Sequence, residues 1–199
     1  TYCFDTTTNK RVRAIMPVHV LGNIGNMDRL LSISKKYHLD IIEDSTEALG
    51  ATFKNKHAGT FGKIGVFSFN GNKIISTGGG GVMVTDDQAI AKKARHLTTQ
   101  AKISAMDYIH DEIGYNYRLV NVLAAIGVAQ METFNTTLQS KASMDRFYRK
   151  HLNNIGDIKF QEIPVGTKTF PGEATTTKII YPAGLSDWIW EADVPGAAT

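Results

Sequence analysis

The pattern of apolar runs predicts an α/β fold with a mostly parallel central sheet flanked by helices. Two observations carry that prediction. A strand, helix, strand succession fills residues 11 to 44, and two short runs rich in β-branched and aromatic residues flank a glycine-punctuated loop between residues 64 and 86. Strand, helix, strand over so short a span is a βαβ unit, which implies parallel pairing through a right-handed crossover.

The elements follow in order. Arg11 to Val20 reads as a buried strand (Val12, Ala14, Ile15, Met16, Val18, Val20), with Pro17 near its end. Leu21-Gly-Asn-Ile-Gly-Asn is a loop, and Asn26 is a suitable N-cap for a helix from Met27 to Tyr37. In that helix Met27, Leu30, Leu31 and Ser34 share one face. Leu39 to Glu43 is a second buried strand ending in Asp44, and Lys54 to Lys63 a polar turn region. Ile64 to Phe69 and Gly81 to Thr85 read as buried strands. Asp86 or Asp87 caps a helix running to about Leu97, with Ile90, Ala94 and Leu97 on its apolar face. Lys102 to Ile113 is irregular. Leu119 to Phe134 reads as a helix apolar nearly all round, which places it in a core or at a subunit interface. An amphipathic helix then runs from about Leu138 to Leu152.

Composition narrows the function classes. With 42% hydrophobic and 21% charged residues in 199, the chain is globular and long enough for a real core. Its net charge is +3 without a basic run, which argues against nucleic-acid binding. No apolar stretch approaches a bilayer span, so no membrane partner is expected. Cys3 is the single cysteine, which fits a reducing compartment, and with no signal peptide a cytoplasmic location is expected. No metal ligand is assigned. A first residue other than methionine suggests a piece of a longer protein.

The chemistry centres on Lys73. It lies in Ser68-Phe-Asn-Gly-Asn-Lys73, followed by Ile-Ile-Ser-Thr and four glycines, Gly78 to Gly81. A lysine held on a tight loop between strands can shed its proton and attack a carbonyl as an amine. The bland reading is a surface lysine on a hairpin turn. The segment resembles the lysine segment of the DegT/DnrJ/StrS nucleotide-sugar aminotransferases, which are pyridoxal-phosphate enzymes. It is most similar to the branch that aminates 4-keto-6-deoxy nucleotide sugars, which includes legionaminic-acid-pathway enzymes. The resemblance covers roughly residues 11 to 153.

That resemblance implies the large-domain core of the aspartate-aminotransferase-like (type I pyridoxal-phosphate) fold, truncated at both ends. It also implies the site. Lys73 would bond the cofactor and then move the proton between substrate carbon and cofactor. Asp44 would face the pyridine nitrogen, Glu47 the ring near its phenolic oxygen, and Ser68 the phosphate. Asn116, in Gly114-Tyr-Asn-Tyr-Arg118, would reach the phosphate of a neighbouring subunit's cofactor, making a homodimer with a shared site. His19 and Arg118 are candidates for holding the sugar nucleotide. Lysine rather than histidine at position 73 favours amino transfer, with glutamate the implied donor, over the dehydratases of the same superfamily. For several residues a structural role stays open: turn or cap acid for Asp44, surface acid for Glu47, strand serine with a backbone partner for Ser68, helix cap for Asn116, polar strand end for His19.

Two other readings remain. The chain could be a catalytically silent piece that docks partners through the 119–134 helix. Or the four glycines could cradle a nucleotide phosphate, although they lead into a strand rather than a helix and no P-loop is present. Residues 1–163 are read as a partial cofactor-binding large domain. Residues 164–199 hold four of the five prolines and both tryptophans, and are read as an atypical, poorly ordered tail.

Overall fold

The computed structural model of the chain describes residues 1–104, 106–153, 155–168 and 179–180. Its central sheet has four strands: β1 (Ala14–Ile15), β2 (Asp40–Asp44), β5 (Ile64–Ser68) and β6 (Gly81–Val84), in the order β1-β2-β5-β6. β1 and β5 both pair parallel to β2, while β6 runs antiparallel to β5. The parallel strands therefore share one carboxyl edge, from which the segments after Ile15, Asp44 and Ser68 emerge. A hairpin of β3 (Thr52–Phe53) and β4 (Lys56–His57) forms a second, antiparallel sheet with β8 (Thr167–Lys168). β7 (Lys159–Phe160) pairs with β9 (Ile179–Ile180).

The helices obey their local signals. α1 (Met27–Tyr37) starts where Asn26 Oδ1 accepts the Arg29 amide at 3.1 Å. α2 (Gln88–Thr98) starts where Asp87 Oδ1 accepts the amides of Ala89 and Ile90. Both caps satisfy amides that the first helical turn leaves without partners. α3 (Asn121–Glu132) and α4 (Phe134–Leu152) follow almost end to end.

The core lies on one side of β2, where Ile24, Met27, Ile41, Ala48, Ala51, Phe53 and Ala58 pack together, with Leu30 and Phe61 at its margin. Met27 is fully buried, as its place on the α1 face predicts, but Leu31 is exposed. The shared face is thus narrower than the sequence implies.

Three expectations are corrected. The first strand is not continuous to Val20: only Ala14–Ile15 pair as a strand, and Met16, Val18 and Val20 are exposed. Pro17 supplies no amide for a ladder, so the chain rejoins β2 only through a single bridge between Val18 and Asp44. β6 is not buried, since it forms the edge of the four-stranded sheet and leaves Val82 exposed. α3 is not in a core of this chain: none of its residues is buried, and Val122 is 71% exposed. The turn region 54–63 also holds a hairpin that the sequence reading passes over. Lys54 and Asn55 both take positive φ, the geometry of a two-residue turn matched to strand twist.

The tail begins in contact with the fold. Thr167 is buried, its hydroxyl donates to the Ile24 carbonyl at 2.9 Å, and its strand pairs with β3. The looseness expected of 164–199 falls mostly on residues 169–178 and 181–199, which lie outside the described residues, whereas 167–168 and 179–180 are paired in strands.

Candidate active site

The carboxyl edge of a parallel sheet is where loops from several strands converge. Here it gathers the residues after β1, β2 and β5. Lys73 Nζ donates to Glu47 Oε1 at 3.1 Å, with the lysine side chain 16% exposed and the glutamate 31%. Glu47 stands just beyond the end of β2, and Lys73 in the loop that leaves β5. The other Glu47 oxygen, Oε2, accepts the Leu21 amide at 2.8 Å from the segment after β1. The segments after β1 and β5 thus each give one donor to a carboxylate carried by the segment after β2.

Charge follows geometry. Glu47 is held below the ordinary glutamate pKa, first by the Leu21 amide. Burial pushes it the other way, the Lys73 hydrogen bond and charge lower it, and the nearby Asp44 charge raises it. Asp44 closes β2, and its Oδ1 accepts the Thr46 amide at 3.1 Å, a local turn bond; among the described residues no hydrogen bond reaches its other oxygen. Ser68 closes β5, and its hydroxyl oxygen accepts the Asn70 amide at 3.2 Å. Its own hydrogen remains available for donation.

The lysine loop is braced from behind. The Ser76 amide donates to Gln130 Oε1 on α3 at 2.8 Å, and the Thr77 amide to the Phe69 carbonyl at 3.0 Å. Gly80 is required by this packing: its φ is +87°, and a Cβ there would stand 2.6 Å from Leu119 Cδ1. Of the four consecutive glycines, Gly81 already opens β6, so the run does not lead into a helix that could cradle a phosphate.

The other sequence candidates sit differently. His19 is 1% exposed, and its Nε2 lies 3.1 Å from Glu43 Oε2, so its side chain is closed off from a sugar nucleotide. That corrects its reading as a substrate contact. Asn116 is exposed and bridged to Thr99, and Arg118 is exposed. No described hydrogen bond or ion pair joins either to Lys73. Asn116 does not cap α3, whose N-cap is Val120.

The residue that sequence reasoning passed over is Glu43. It is fully buried on β2 and accepts four hydrogen bonds: from Gly59 N at 2.8 Å, Phe61 N at 2.6 Å, Gly62 N at 2.6 Å and the His19 ring. Burial pushes its pKa up, but the His19 bond and the three amides outweigh that and hold it below the ordinary value. The available signal was an acid following two isoleucines inside a strand, since a buried charge requires dedicated partners. A further cluster, His96, Asp111 and Glu112, brings ligand atoms within 4.8 Å of one another, but Lys93 Nζ already lies 2.5 Å from the Glu112 carboxylate.

An amine, two carboxylates and a hydroxyl donor at one sheet edge form the donor set that pyridoxal phosphate uses, and comparison with known proteins agrees. Residues 5–181 match the DegT/DnrJ/EryC1/StrS aminotransferase family. The chain belongs to that family. The family is pyridoxal-phosphate-dependent, and the match extends beyond the 11–153 stretch on which the resemblance was first read. GDP-perosamine synthase of Escherichia coli O157:H7 is 42% identical over 151 residues, covering 76% of this chain and 41% of the relative. UDP-4-amino-4,6-dideoxy-N-acetyl-beta-L-altrosamine transaminase of Campylobacter jejuni (serotype O:2) is 32% identical over 144 residues, covering 71% and 38%. A crystal structure of a DegT/DnrJ/EryC1/StrS aminotransferase from Brucella abortus superposes with a TM-score of 0.75 at 26% identity, covering 86% of this chain and 45% of that one. The chain thus spans about two-fifths of the curated relatives it matches. Its sheet is the core of the aspartate-aminotransferase-like fold.

Proposed function

We propose that this chain carries the lysine-bearing part of a pyridoxal-phosphate-dependent aminotransferase of nucleotide sugars. The observation that carries the reading is the Lys73–Glu47 pair at 3.1 Å on the carboxyl edge of the sheet, flanked by Asp44 and Ser68 at the ends of β2 and β5. Pyridoxal phosphate, when bound, supplies a carbonyl that takes up an amine and a ring that accepts electrons. Lys73 Nζ is the amine that would bond that carbonyl and, once released, carry the proton to and from the substrate carbon. Glu47, fixed by the Leu21 amide, orients the lysine. Asp44 would keep a proton on the pyridine nitrogen, and Ser68 would donate to the phosphate.

The finer reading draws on resemblance. The substrate is a 4-keto-6-deoxy nucleotide sugar, a choice supported by the 4-amino-4,6-dideoxy sugar in the Campylobacter relative's name. The donor is glutamate, the setting cell-surface polysaccharide synthesis in the cytoplasm. Among the described residues no helix is long and apolar enough to cross a membrane. The exposed apolar residues of α3 (Val122, Ile126, Val128, Met131) support a homodimer, in which Asn116 would serve the partner's cofactor and Arg118 the sugar nucleotide. Residues 1–163 form the partial cofactor-binding domain and 164–199 an atypical tail.

The test is to add pyridoxal phosphate to the purified chain, reduce with borohydride and map the modified peptide. Modification at Lys73, absent in Lys73→Ala, with a visible absorbance band that glutamate bleaches, is the expected result. A spectrum equal to free cofactor in both proteins would sink the reading and leave a silent partner-docking piece.

A further inference from the structure

We propose that His19 is a positioning residue for Glu47: its ring, locked to Glu43, sets the turn that aims the Leu21 amide at the Glu47 carboxylate. The proposal rests on the reading of Lys73 and Glu47 as the groups that face the cofactor.

The connection can be followed bond by bond. Successive strand residues point to opposite faces, so Glu43 lies on the side of β2 away from Asp44, with the buried Gly59 amide. Three backbone amides fix its carboxylate there. A carboxylate only accepts, so His19 Nε2 carries the hydrogen and donates. The His19 backbone is also tied to β2, its amide donating to the Asp44 carbonyl at 2.9 Å, while the Asp44 amide donates to Pro17 O at 2.9 Å. His19 is thus gripped through both main chain and side chain by adjacent residues of one strand.

The chain turns immediately afterwards. Val20–Gly22 form a single 3-10 turn, closed by the Gly22 amide on His19 O at 3.2 Å and the Asn23 amide on Val20 O at 3.0 Å. Within it Leu21 has φ 54° and ψ 32°, a left-handed conformation that leucine rarely adopts. Such a residue persists only where its surroundings over-determine it, and these residues tend to lie at functional sites. The anchored His19 supplies one end of that constraint and the buried Leu21 side chain the other. The result is an amide placed 2.8 Å from Glu47 Oε2 while Lys73 holds Oε1. With one donor on each oxygen the carboxylate plane is set. Without the Leu21 donor, a partly exposed glutamate regains its rotamers.

The test titrates Glu47 itself, in the full chain without cofactor, by NMR of carboxyl-labelled glutamate. The charged groups acting on Glu47 are Lys73 and Asp44, and neither is altered by a change at His19. The wild-type carboxyl should titrate below the ordinary glutamate value. In His19→Leu it should move up toward that value, with the fold retained by circular dichroism. His19→Gln, whose amide can still donate to Glu43, should keep the wild-type midpoint, whereas His19→Asn, one methylene shorter, should follow His19→Leu. If His19→Leu does not fold, the Gln and Asn pair carries the comparison. A Glu47 midpoint unmoved in the folded Leu or Asn variant overturns the proposal, as does an ordinary midpoint in the wild type. Failure of borohydride trapping at Lys73 with the Glu47 shift intact would instead remove the cofactor reading.

Discussion

Replacing Glu43 by leucine should be among the most destabilising single changes available in this chain. The substitution keeps volume and removes an acceptor that serves four donors. Gly59 and His19 are buried, so their N–H groups would be stranded outright, while Phe61 and Gly62 are only partly buried and can recover water. Two orphaned buried donors at about 1–3 kcal/mol each give about 2–6 kcal/mol. That is a large share of the roughly 5–15 kcal/mol that typically holds a domain together. Urea denaturation followed by circular dichroism should show the midpoint falling with little change in slope. Amide hydrogen exchange at 59–62 should accelerate in the same variant. A loss under about 1 kcal/mol would mean that Glu43 does not hold the 59–62 loop to β2, and the reasoning about His19 would fall with it.

Other expectations follow from the same geometry. Glu43 and Glu47 both sit below their ordinary pKa, so the folded chain binds fewer protons than the unfolded one on the acid side. Their contribution is fully present above the ordinary glutamate value and is lost as pH falls through the folded values; acid unfolding of Glu43→Gln should show a shallower slope than wild type. Gly80→Ala should cost about 1–3 kcal/mol in urea denaturation, because φ is +87° and the new methyl meets Leu119; a loss below about half of one kcal/mol would contradict the brace. Val128→Lys on exposed α3 should leave the stability of a single chain within about 0.5 kcal/mol. In sedimentation it should shift any dimer toward monomer, and an unchanged dimer would place the interface elsewhere.

Much of this protein is legible residue by residue. Asn26 and Asp87 announce α1 and α2 because a cap depends on one side chain and the next three amides. The parallel pairing of β1 and β2 around α1 follows from the spacing of apolar runs. Lys73 and Ser68 could be picked out because a lysine amid glycines and β-branched residues matches a family pattern tied to chemistry. These are local signals, carried within a few residues of where they act.

Burial was not local, and there the sequence misleads. Val18 and Val20 look like core but are exposed, because Pro17 interrupts the ladder and turns the chain. α3, read as a helix for a core or a subunit interface, has no buried residue, since its neighbours are decided by chain far away or by another molecule. His19, read as a candidate for holding the sugar nucleotide or as a polar strand end, is buried against Glu43, 24 residues distant. The Leu21 amide leaves no trace in residue identity, for every residue but proline has one. The sequence by itself determined the helices, the parallel β1–β2 unit and the choice of Lys73 as the candidate lysine. Only the tertiary structure decided which donors converge on Glu43 and Glu47, because a hydrogen bond between distant strands depends on how the sheet brings their ends together.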